Sequence, residues 1–452
     1  MQKVNPILYE RLKKIDQLPV YRDRIRIGTL TRTPHPSDTT KNVVRFVPGL
    51  DKDGNQIDAG IYNPNSLNPV WDNHLPNYFS NLLPEGQRMQ RIEEILGISE
   101  HLDDEFSVLA ALGADSIGNI CVIKPINGPD AYVQISRDLD NSPMIELDGT
   151  RSLEELIAQE LNFQPGVALS GGQEKLSAYT GATHIRVHSL GSETTERDAH
   201  YIVKTENPNY PNLIENERFF MDLAQDCGLE VPRILNVRVP DGSQLLLIER
   251  FDRVTSQDAD EERRTRKVHT EDGAQILSIP SNDKYRVSWE EVSKKVLEVV
   301  DPQARSQSAE TLFRLYCYSY MIGNGDLHAK NISVWDNPET GVTEITPCYD
   351  LVSTIYYKGK LHSQDKNMAL SLEGTKDNIG PKKFRVYAEK IGIDKSRADE
   401  IMGEIARAVD KKISLFKPTD INPNMVNFAE STLNKRREPF LQLGLEQGRT
   451  LS

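Results

Sequence analysis

The sequence has few cysteines and no long apolar run, and both absences limit what the protein can be. Its four cysteines are far apart in the chain and lie mostly among apolar residues: Cys121, Cys227, Cys317 and Cys348. No CxxC pair occurs, so the sequence predicts neither a disulfide framework nor a thiolate zinc site. No run of 18 apolar residues exists and the N-terminus has no apolar signal core, so we expect a cytoplasmic protein.

The sequence also has no excess of basic residues. Lys and Arg number 54 against 67 Asp and Glu, which gives a net charge of −13. A protein that binds nucleic acid by itself needs a basic surface to neutralise phosphates, so direct binding is not expected. Apolar and charged contents of 38% and 27% are typical of a globular protein, and 452 residues allow two or three domains.

The most informative motif is Gly323-Asn324-Gly325-Asp326-Leu327-His328-Ala329-Lys330-Asn331. Asp326 and Asn331 have the spacing of a protein-kinase catalytic loop, where the Asp accepts the proton of the attacking hydroxyl and the Asn binds magnesium. His328 and Lys330 lie between them, and Lys330 is a candidate to stabilise charge on the γ-phosphate. Alone, this spacing is weak, because short motifs often occur by chance.

A third acidic residue, Asp350, follows the motif after a predicted hairpin. Residues 332–335 and 342–345 have strand character, and a turn signal at 337–341 separates them. Since a hairpin returns the chain to its start, Asn331 and Asp350 are predicted to lie side by side and share Mg²⁺, which prefers oxygen ligands. The alternative is a polar turn before an ordinary surface hairpin.

Candidate nucleotide-binding residues precede this motif in the order that kinases use. The first group is a glycine-rich stretch whose backbone amides could approach phosphate closely: Ser170, Gly171, Gly172, Gln173, Glu174 and Lys175. It lacks the Walker A spacing, and a tight turn between strands is its alternative interpretation.

Lys204 and Glu217 form the second group. Lys204 ends the apolar stretch 199–204, as does the strand lysine that contacts the α- and β-phosphates in kinases. Glu217, on the next predicted helix, is the candidate partner of this lysine, with Glu215 and Asn216 as alternatives. A solvated lysine and a solvated glutamate are the commoner case for either residue alone.

The third group follows a buried strand at 245–248. Glu249 and Phe251 stand where a hinge would offer backbone groups to adenine. Arg250 and Arg253, beside them, are alternatively residues that stabilise this junction by ion pairing.

The order of predicted elements indicates an α+β protein with a two-lobed, kinase-like fold. We predict an N-terminal subdomain of strands and helices at 1–145, a strand-rich kinase N-lobe at 146–252 and a helical C-lobe at 253–452. Ser152 and Ser288 each begin a predicted capping box, which marks a helix start. Helices are also predicted at about 213–227, where Gly228 is the expected terminator, and at 397–416. The insert 255–267 is expected to be disordered.

These motifs together resemble the HipA-type serine/threonine kinases, the toxins of bacterial HipBA toxin–antitoxin modules. The resemblance covers nearly the whole chain, and its most specific parts are Gly325–Asn331, Tyr349-Asp350, Ser170–Lys175 and Ile248–Arg253. It implies Asp326 as catalytic base, Asn331 and Asp350 as magnesium ligands, and Lys204 as the ATP lysine. It also implies adenine near Glu249 and Phe251.

The resemblance further implies regulation, substrate and partner. Family members phosphorylate a serine of their own glycine-rich loop, and they phosphorylate aminoacyl-tRNA synthetases, which favours dormancy and drug tolerance. Their partner is a small helix-turn-helix antitoxin, similar to HipB, that binds operator DNA. This chain departs from the pattern, because Ala168 stands where the phosphorylated serine is often found; Ser170 then becomes the candidate autophosphorylation site.

Two other interpretations remain open at the level of sequence. A small-molecule kinase of the aminoglycoside-phosphotransferase kind shares the Asp…Asn…Asp logic, although the N-terminal subdomain argues against it. A weakly catalytic corepressor that acts with an antitoxin is the other, and the intact set of Lys204, Asp326, Asn331 and Asp350 argues against that.

Overall fold

The structure, a computed structural model, describes most of the chain but not all of it. The described residues are 6–23, 25–71, 74–96, 98, 104–113, 116–123, 145–146, 175–180, 185–188, 200–207, 209–238, 244–255, 265–357 and 367–444. These residues divide into two compact units, each formed by separate parts of the chain. The first unit comprises Met1–Lys204 and Val237–Ser281, and the second comprises Thr205–Asn236 and Asn282–Ser452.

The N-terminal part of the first unit is a four-stranded sheet packed against helices. Its strands have the order β3-β2-β1-β4 and the bounds β1 Gln17–Arg22, β2 Ile25–His35, β3 Asp38–Pro48 and β4 Ile120–Val122. The helices are α1 Pro6–Leu12, α2 Asn77–Ser80, α3 Gly86–Leu96 and α4 Glu105–Leu112. Alternate residues of β1 and nearly all of α4 are buried, and both belong to the core of this part.

A second sheet has six strands in the order β5-β7-β6-β8-β10-β9. The bounds are β5 Ile145–Glu146, β6 Lys175–Thr180, β7 Ile185–His188, β8 His200–Thr205, β9 Ile234–Arg238 and β10 Gln244–Glu249. The central run of β10, Leu245–Ile248, is buried on both faces, which explains why it reads as a continuous apolar stretch.

Residues 265–281 extend the first unit with a short, heavily bonded segment. It contains β12 Thr265–Lys267, which pairs antiparallel with β11 Arg253–Thr255, then β13 Thr270–Asp272 and α6 Gly273–Leu277. The ends of the insert that the sequence predicts as disordered are therefore strands, because they pair with each other. Residues 256–264 lie outside the described part of the chain.

Three asparagine side chains from the N-terminal part hold the end of this segment by its backbone. Asn63 donates to the carbonyl of Ile276 at 2.6 Å, Asn77 to Ser278 at 2.6 Å and Asn81 to Ile279 at 2.9 Å. Because these carbonyls lie in the last turn of a short helix or directly after it, where no helical N–H reaches them, the side chains replace the missing helical hydrogen bonds.

The second unit is mainly helical. Its helices are α5 Leu213–Asp226, α7 Trp289–Val299, α8 Arg305–Ile322, α9 Pro381–Lys390, α10 Lys395–Lys412 and α11 Pro423–Arg437. One hairpin, β14 Ser333–Asp336 and β15 Thr343–Ile345, follows the Asp326 motif. Helix α8 is buried over most of its length, and aromatic side chains such as Phe313 and Phe384 pack around it.

Many predicted elements match the structure. The capping box at Ser288 is confirmed, since its hydroxyl accepts from the Glu291 N–H while the Glu291 carboxylate accepts from the Ser288 N–H. Helix α5 ends at Asp226 and Gly228 follows with a φ of 74°, as its predicted glycine terminator requires. The four cysteines are buried and free. Across the described ranges, no helix is both long and apolar enough to cross a bilayer.

Candidate functional site

The loop that carries Asp326 begins at the C-terminal end of α8. Gly323 ends the helix with a φ of 72°, a conformation that favours glycine, and a side chain there would meet Ile355 and Leu433. The next peptide groups are fixed by the hydroxyl of Thr354, which accepts from the Gly325 N–H at 2.7 Å and donates to the Gly323 carbonyl at 3.2 Å. The loop therefore leaves the helix in one defined direction.

Backbone and side-chain contacts fix Asp326 within this loop. The side chain of Asn324 accepts from the Asp326 N–H at 3.0 Å, which closes a tight turn. The Asp326 carbonyl accepts from the His328 N–H at 2.8 Å and from Asn331 Nδ2 at 2.9 Å. Its half-buried carboxylate accepts from the Tyr285 hydroxyl, with 2.7 Å between that oxygen and Asp326 Oδ1.

The hairpin after the loop returns the chain as predicted. Val334 pairs with Ile345, and the Thr346 N–H donates to the Ser333 carbonyl at 3.0 Å. The Tyr349 hydroxyl then donates to the Lys330 carbonyl at 2.8 Å. Asn331 and Asp350 directly follow Lys330 and Tyr349 in the chain, so each predicted metal ligand is next to one member of this hydrogen-bonded pair. That the two ligands share one ion remains a prediction.

The candidate ligands have the chemistry that Mg²⁺ prefers. Asn331 donates its amide nitrogen to the Asp326 carbonyl, so its amide oxygen is the candidate atom for the predicted metal. Asp350 has a φ of 54°, a left-handed conformation that costs energy for a residue with a side chain and is frequent at functional sites. Within the described residues no cluster of three or more His, Cys, Asp or Glu could hold a metal. Asn331 and Asp350 are only two candidate ligands, which fits a magnesium ion whose other ligands are phosphates and water.

Helix α5 holds the backbone that follows Asp350. Asn216 is fully buried; its Oδ1 accepts from the Ser353 N–H at 2.8 Å and its Nδ2 donates to the Ser353 carbonyl at 3.1 Å. The Ser353 hydroxyl donates to the Ile322 carbonyl at the end of α8. The amide of Asn216 is thereby fixed against the Ser353 backbone, and its alternative role as a partner of Lys204 remains a prediction.

The neighbouring acidic residues of α5 differ from each other. Glu217 is buried, consistent with a paired carboxylate, and its pairing with Lys204 remains a prediction. Glu215 lies against Glu206, where desolvation and the charge of Glu215 raise the pKa of Glu206 to about 7, with a smaller effect from Asp420. Glu215 therefore has a carboxylate as its neighbour within the second unit.

In the first unit, Lys204 is buried at the end of β8, and its register partner across the sheet is Lys175 at the start of β6. The predicted glycine-rich residues Ser170, Gly171, Gly172 and Gln173 lie outside the described residues, as does Ala168. Because Lys175 directly follows them, the chain enters β6 beside Lys204. Glu249 ends β10, and it and Phe251 are half-buried.

The residues around Phe251 form a buried ion cluster in the first unit. The Asp252 carboxylate accepts from Arg250 at 2.9 and 2.8 Å, from Arg253 at 2.7 Å and from the Gly118 N–H at 2.9 Å. Burial alone would raise the pKa of Asp252, but the two guanidinium groups hold it well below its usual range. The alternative prediction of ion pairing by Arg250 and Arg253 is confirmed.

Some residues that contact the loop carried no signal in the sequence. Tyr285 is 41 residues from Asp326 and Thr354 is 29 residues from Gly325, so no local spacing links them. Tyr349 stands in the Tyr349-Asp350 motif, yet only the structure shows that its hydroxyl reaches the Lys330 carbonyl and the Ser333 hydroxyl.

The chain matches two known protein families and is similar to several known proteins. The family described as HipA-like C-terminal domain matches residues 167–413, and the HipA N-terminal domain matches residues 18–123. Y4mE of Sinorhizobium fredii, provisionally named a kinase, is 24% identical over 396 residues, which cover 85% of this chain and 90% of Y4mE. Y4dM of the same organism, also provisionally named a kinase, is 31% identical over 294 residues, 63% of each chain.

A solved structure shares the fold. The HipA of Shewanella oneidensis MR-1, solved in a complex with HipB and operator DNA, matches with a TM-score of 0.65 and 22% identity. The match covers 96% of this chain and 100% of that one. This likeness confirms the predicted α+β, kinase-like fold of HipA type.

Proposed function

Since this chain belongs to the HipA family, we propose that it is an ATP- and Mg²⁺-dependent protein serine/threonine kinase. One observation supports the proposal: in a single loop of the second unit, Asn331 bonds the Asp326 backbone, and Lys330 bonds Tyr349, the residue before Asp350. An acid that can take a proton, beside two oxygen ligands for magnesium, is what phosphoryl transfer requires of a protein.

Asp326 acts as the base in the proposed reaction. The acceptor hydroxyl oxygen bonds to the γ-phosphorus of ATP, the bond from that phosphorus to the bridging oxygen of ADP breaks, and Asp326 receives the hydroxyl proton. Asn331 and Asp350 would hold Mg²⁺, which neutralises phosphate charge when bound. Lys330 and His328 complete the loop, with Lys330 proposed to stabilise charge on the transferred group.

Residues of the first unit are proposed to bind the nucleotide. Lys204, buried at a strand end, would contact the α- and β-phosphates. Its proposed acidic partner, Glu217, belongs to α5 of the second unit. The backbone amides of Ser170, Gly171, Gly172 and Gln173, with Lys175, would cover the phosphates. Glu249 and Phe251 would flank adenine, directly before the rigid cluster around Asp252.

The proposed biological role is that of a cytoplasmic toxin whose kinase activity arrests translation. We propose an aminoacyl-tRNA synthetase as substrate, dormancy or persistence as outcome, and autophosphorylation at Ser170. A HipB-like helix-turn-helix antitoxin is the proposed partner, supported by the HipA–HipB–operator DNA complex of the Shewanella protein. A net charge of −13 favours DNA contact mainly through that partner.

Incubation of the purified chain with γ-labelled ATP and Mg²⁺, alone and with cell extract, tests this proposal. Asp326→Gln should abolish all transfer and Ser170→Ala should abolish only self-labelling. Ser293→Ala serves as a control because its hydroxyl bonds the Trp289 carbonyl and the Tyr387 hydroxyl. Label on a synthetase would identify the substrate. Transfer to aminoglycosides instead would support the small-molecule alternative; no transfer despite measured ATP binding would support the corepressor.

A further inference from the structure

The segment before helix α7 contacts the Asp326 loop at three points. The Tyr285 hydroxyl lies 2.7 Å from Asp326 Oδ1. The Tyr285 ring packs edge-on against His328, with 5.0 Å between ring centroids and 82° between ring planes. The carbonyl of Lys284 accepts from the Ala329 N–H at 3.2 Å. Consecutive residues 284 and 285 thus touch the loop at its acid, its histidine and its short helical turn.

From these contacts we infer that Tyr285 is a positioning residue that orients the Asp326 carboxylate for proton transfer. This inference rests on the proposed kinase function and names a further residue for the same reaction. A carboxylate on a rotatable side chain samples several orientations, and a hydroxyl that donates to one oxygen selects among them. With Oδ1 accepting from Tyr285, Oδ2 is the oxygen that would receive the proton of the acceptor.

The contacts favour this role over one in which Tyr285 occupies the acceptor's position and blocks the site. A blocking group must leave before reaction, whereas Tyr285 belongs to a segment bonded to the loop through its own backbone as well as its ring. The buried His328 packs against its ring, so the hydroxyl is held at a fixed distance. Preorganisation of this kind lowers the barrier because no group has to be reoriented during reaction.

Tyr285→Phe tests the inference, because it removes the hydroxyl and keeps the ring that packs on His328. ADP release by the full-length chain in Mg-ATP is the assay, since it counts transfer to any acceptor, including water. We expect kcat to fall about tenfold while the KM for ATP stays unchanged, because an orientation lost at the base affects chemistry and not nucleotide binding.

Tyr316→Phe is the matched control. The Tyr316 hydroxyl also donates a buried hydrogen bond, to the Leu370 carbonyl at 2.9 Å, but it does not touch the Asp326 loop. Its loss should lower stability comparably and leave kcat unchanged.

Three results would overturn the inference, and they are distinguishable. Unchanged kcat in Tyr285→Phe, with an active parent chain, would leave the kinase proposal intact and remove the role of Tyr285. A rise in kcat would show that the hydroxyl blocks the acceptor position. No ADP release by the unaltered chain, with ATP bound, would overturn both the kinase function and the positioning role.

Discussion

Asp252 illustrates how a buried acid is kept ionised at the scale of one residue. Its side chain is 5% exposed, and Arg250, Arg253 and the Gly118 N–H all donate to it. Removing one partner of such a cluster leaves buried charge uncompensated. We expect Asp252→Asn to lower the free energy of unfolding by about 3–5 kcal/mol in urea denaturation.

The control for this prediction is an ion pair on the surface. Glu298 pairs with Lys295 at 2.7 Å, but both side chains are nearly half exposed. Glu298→Gln should therefore change stability by less than about 1 kcal/mol. Equal losses of unfolding free energy in the two variants would show that the burial of Asp252 adds nothing to the stability that its ion pairs provide.

Glu206 is expected to make the stability of the folded chain depend on pH between about 4.5 and 7. Its pKa is raised to about 7 in the folded chain, above the ordinary value near 4.5, so the folded state holds the extra proton between those values. The free energy of unfolding should therefore fall as pH rises from about 4.5 to 7, and level off above. Thermal melts across this range should show a shallower fall in Glu206→Gln, which cannot ionise; parallel curves would contradict the assignment.

At the scale of elements, substitutions at two glycines that end helices can distinguish the cost of backbone strain from the cost of a steric clash. Gly323 and Gly392 have φ values of 72° and 84°, but a Cβ at 323 would lie 2.9 Å from Ile355 Cγ2, whereas nothing lies within 4 Å at 392. We expect Gly392→Ala to cost about 1–2 kcal/mol and to leave kcat unchanged. Gly323→Ala should cost about 1–3 kcal/mol more and lower kcat, because the Asp326 loop starts there.

Helix α5 is expected to control magnesium binding through Asn216. Asn216→Ala leaves the buried N–H and carbonyl of Ser353 without their partner, three residues after Asp350. We expect a loss of about 1–3 kcal/mol in stability and a several-fold rise in the Mg²⁺ concentration that gives half-maximal activity.

Ser293→Ala is the control for this prediction. Its hydroxyl bonds the Trp289 carbonyl and the Tyr387 hydroxyl, so it loses buried hydrogen bonds elsewhere in the second unit. The same shift in Mg²⁺ dependence in both variants would indicate general destabilisation.

The sequence allowed elements to be predicted where their signal is local. The Ser288 capping box, the hairpin after Asn331 and the glycine after α5 all depend on residues a few positions apart, and the structure has each of them. Boundaries were less accurate, since the helix predicted at 397–416 ends at Lys412 and gives way to a 3₁₀ turn. Pairing is not local: Asn216 and Ser353 are 137 residues apart, and only folding brings them together.

Candidate site residues also divide into those with a local signal in the sequence and those that only folding brings together. The positions of Asp326, Asn331 and Asp350 could be proposed from spacing, because one loop and one hairpin contain them. Tyr285 could not, since its contact with Asp326 depends on how the backbone of residues 284 and 285 packs on the loop. A tyrosine before a predicted helix carries no sign of that packing.

At the scale of the whole molecule, the first unit depends on two distant parts of the chain. Its segment 265–281 is bound by the side chains of Asn63, Asn77 and Asn81. The N–H of Tyr62 also donates, at 2.8 Å, to the carboxylate of Glu271 within the segment. We expect a fragment that ends at residue 264, and so lacks only this segment of the first unit, to resist proteolysis poorly, because those polar groups have lost their partners.

Addition of a synthetic peptide of residues 265–281 should restore protection to that fragment. A peptide with Asp272→Ala is the control, because Asp272 caps α6 through the N–H groups of Ala274 and Gln275 and its loss weakens the bound conformation. Full resistance of the fragment without peptide would show that the segment is dispensable.

Because the first unit is formed by two separate parts of the chain, its folding is delayed while the chain is synthesised on a ribosome. Asn81 is made 198 residues before Ile279, the residue that it bonds. At about 5–20 residues per second, translation separates them by roughly 10–40 seconds. Throughout that interval, polar groups of the nascent first unit lack the hydrogen-bond partners that residues 265–281 provide. The first unit can complete its folding only after residues 265–281 have been made, shortly before the ribosome reaches Asp326. The N-terminal part of the chain is therefore synthesised first but does not finish folding first.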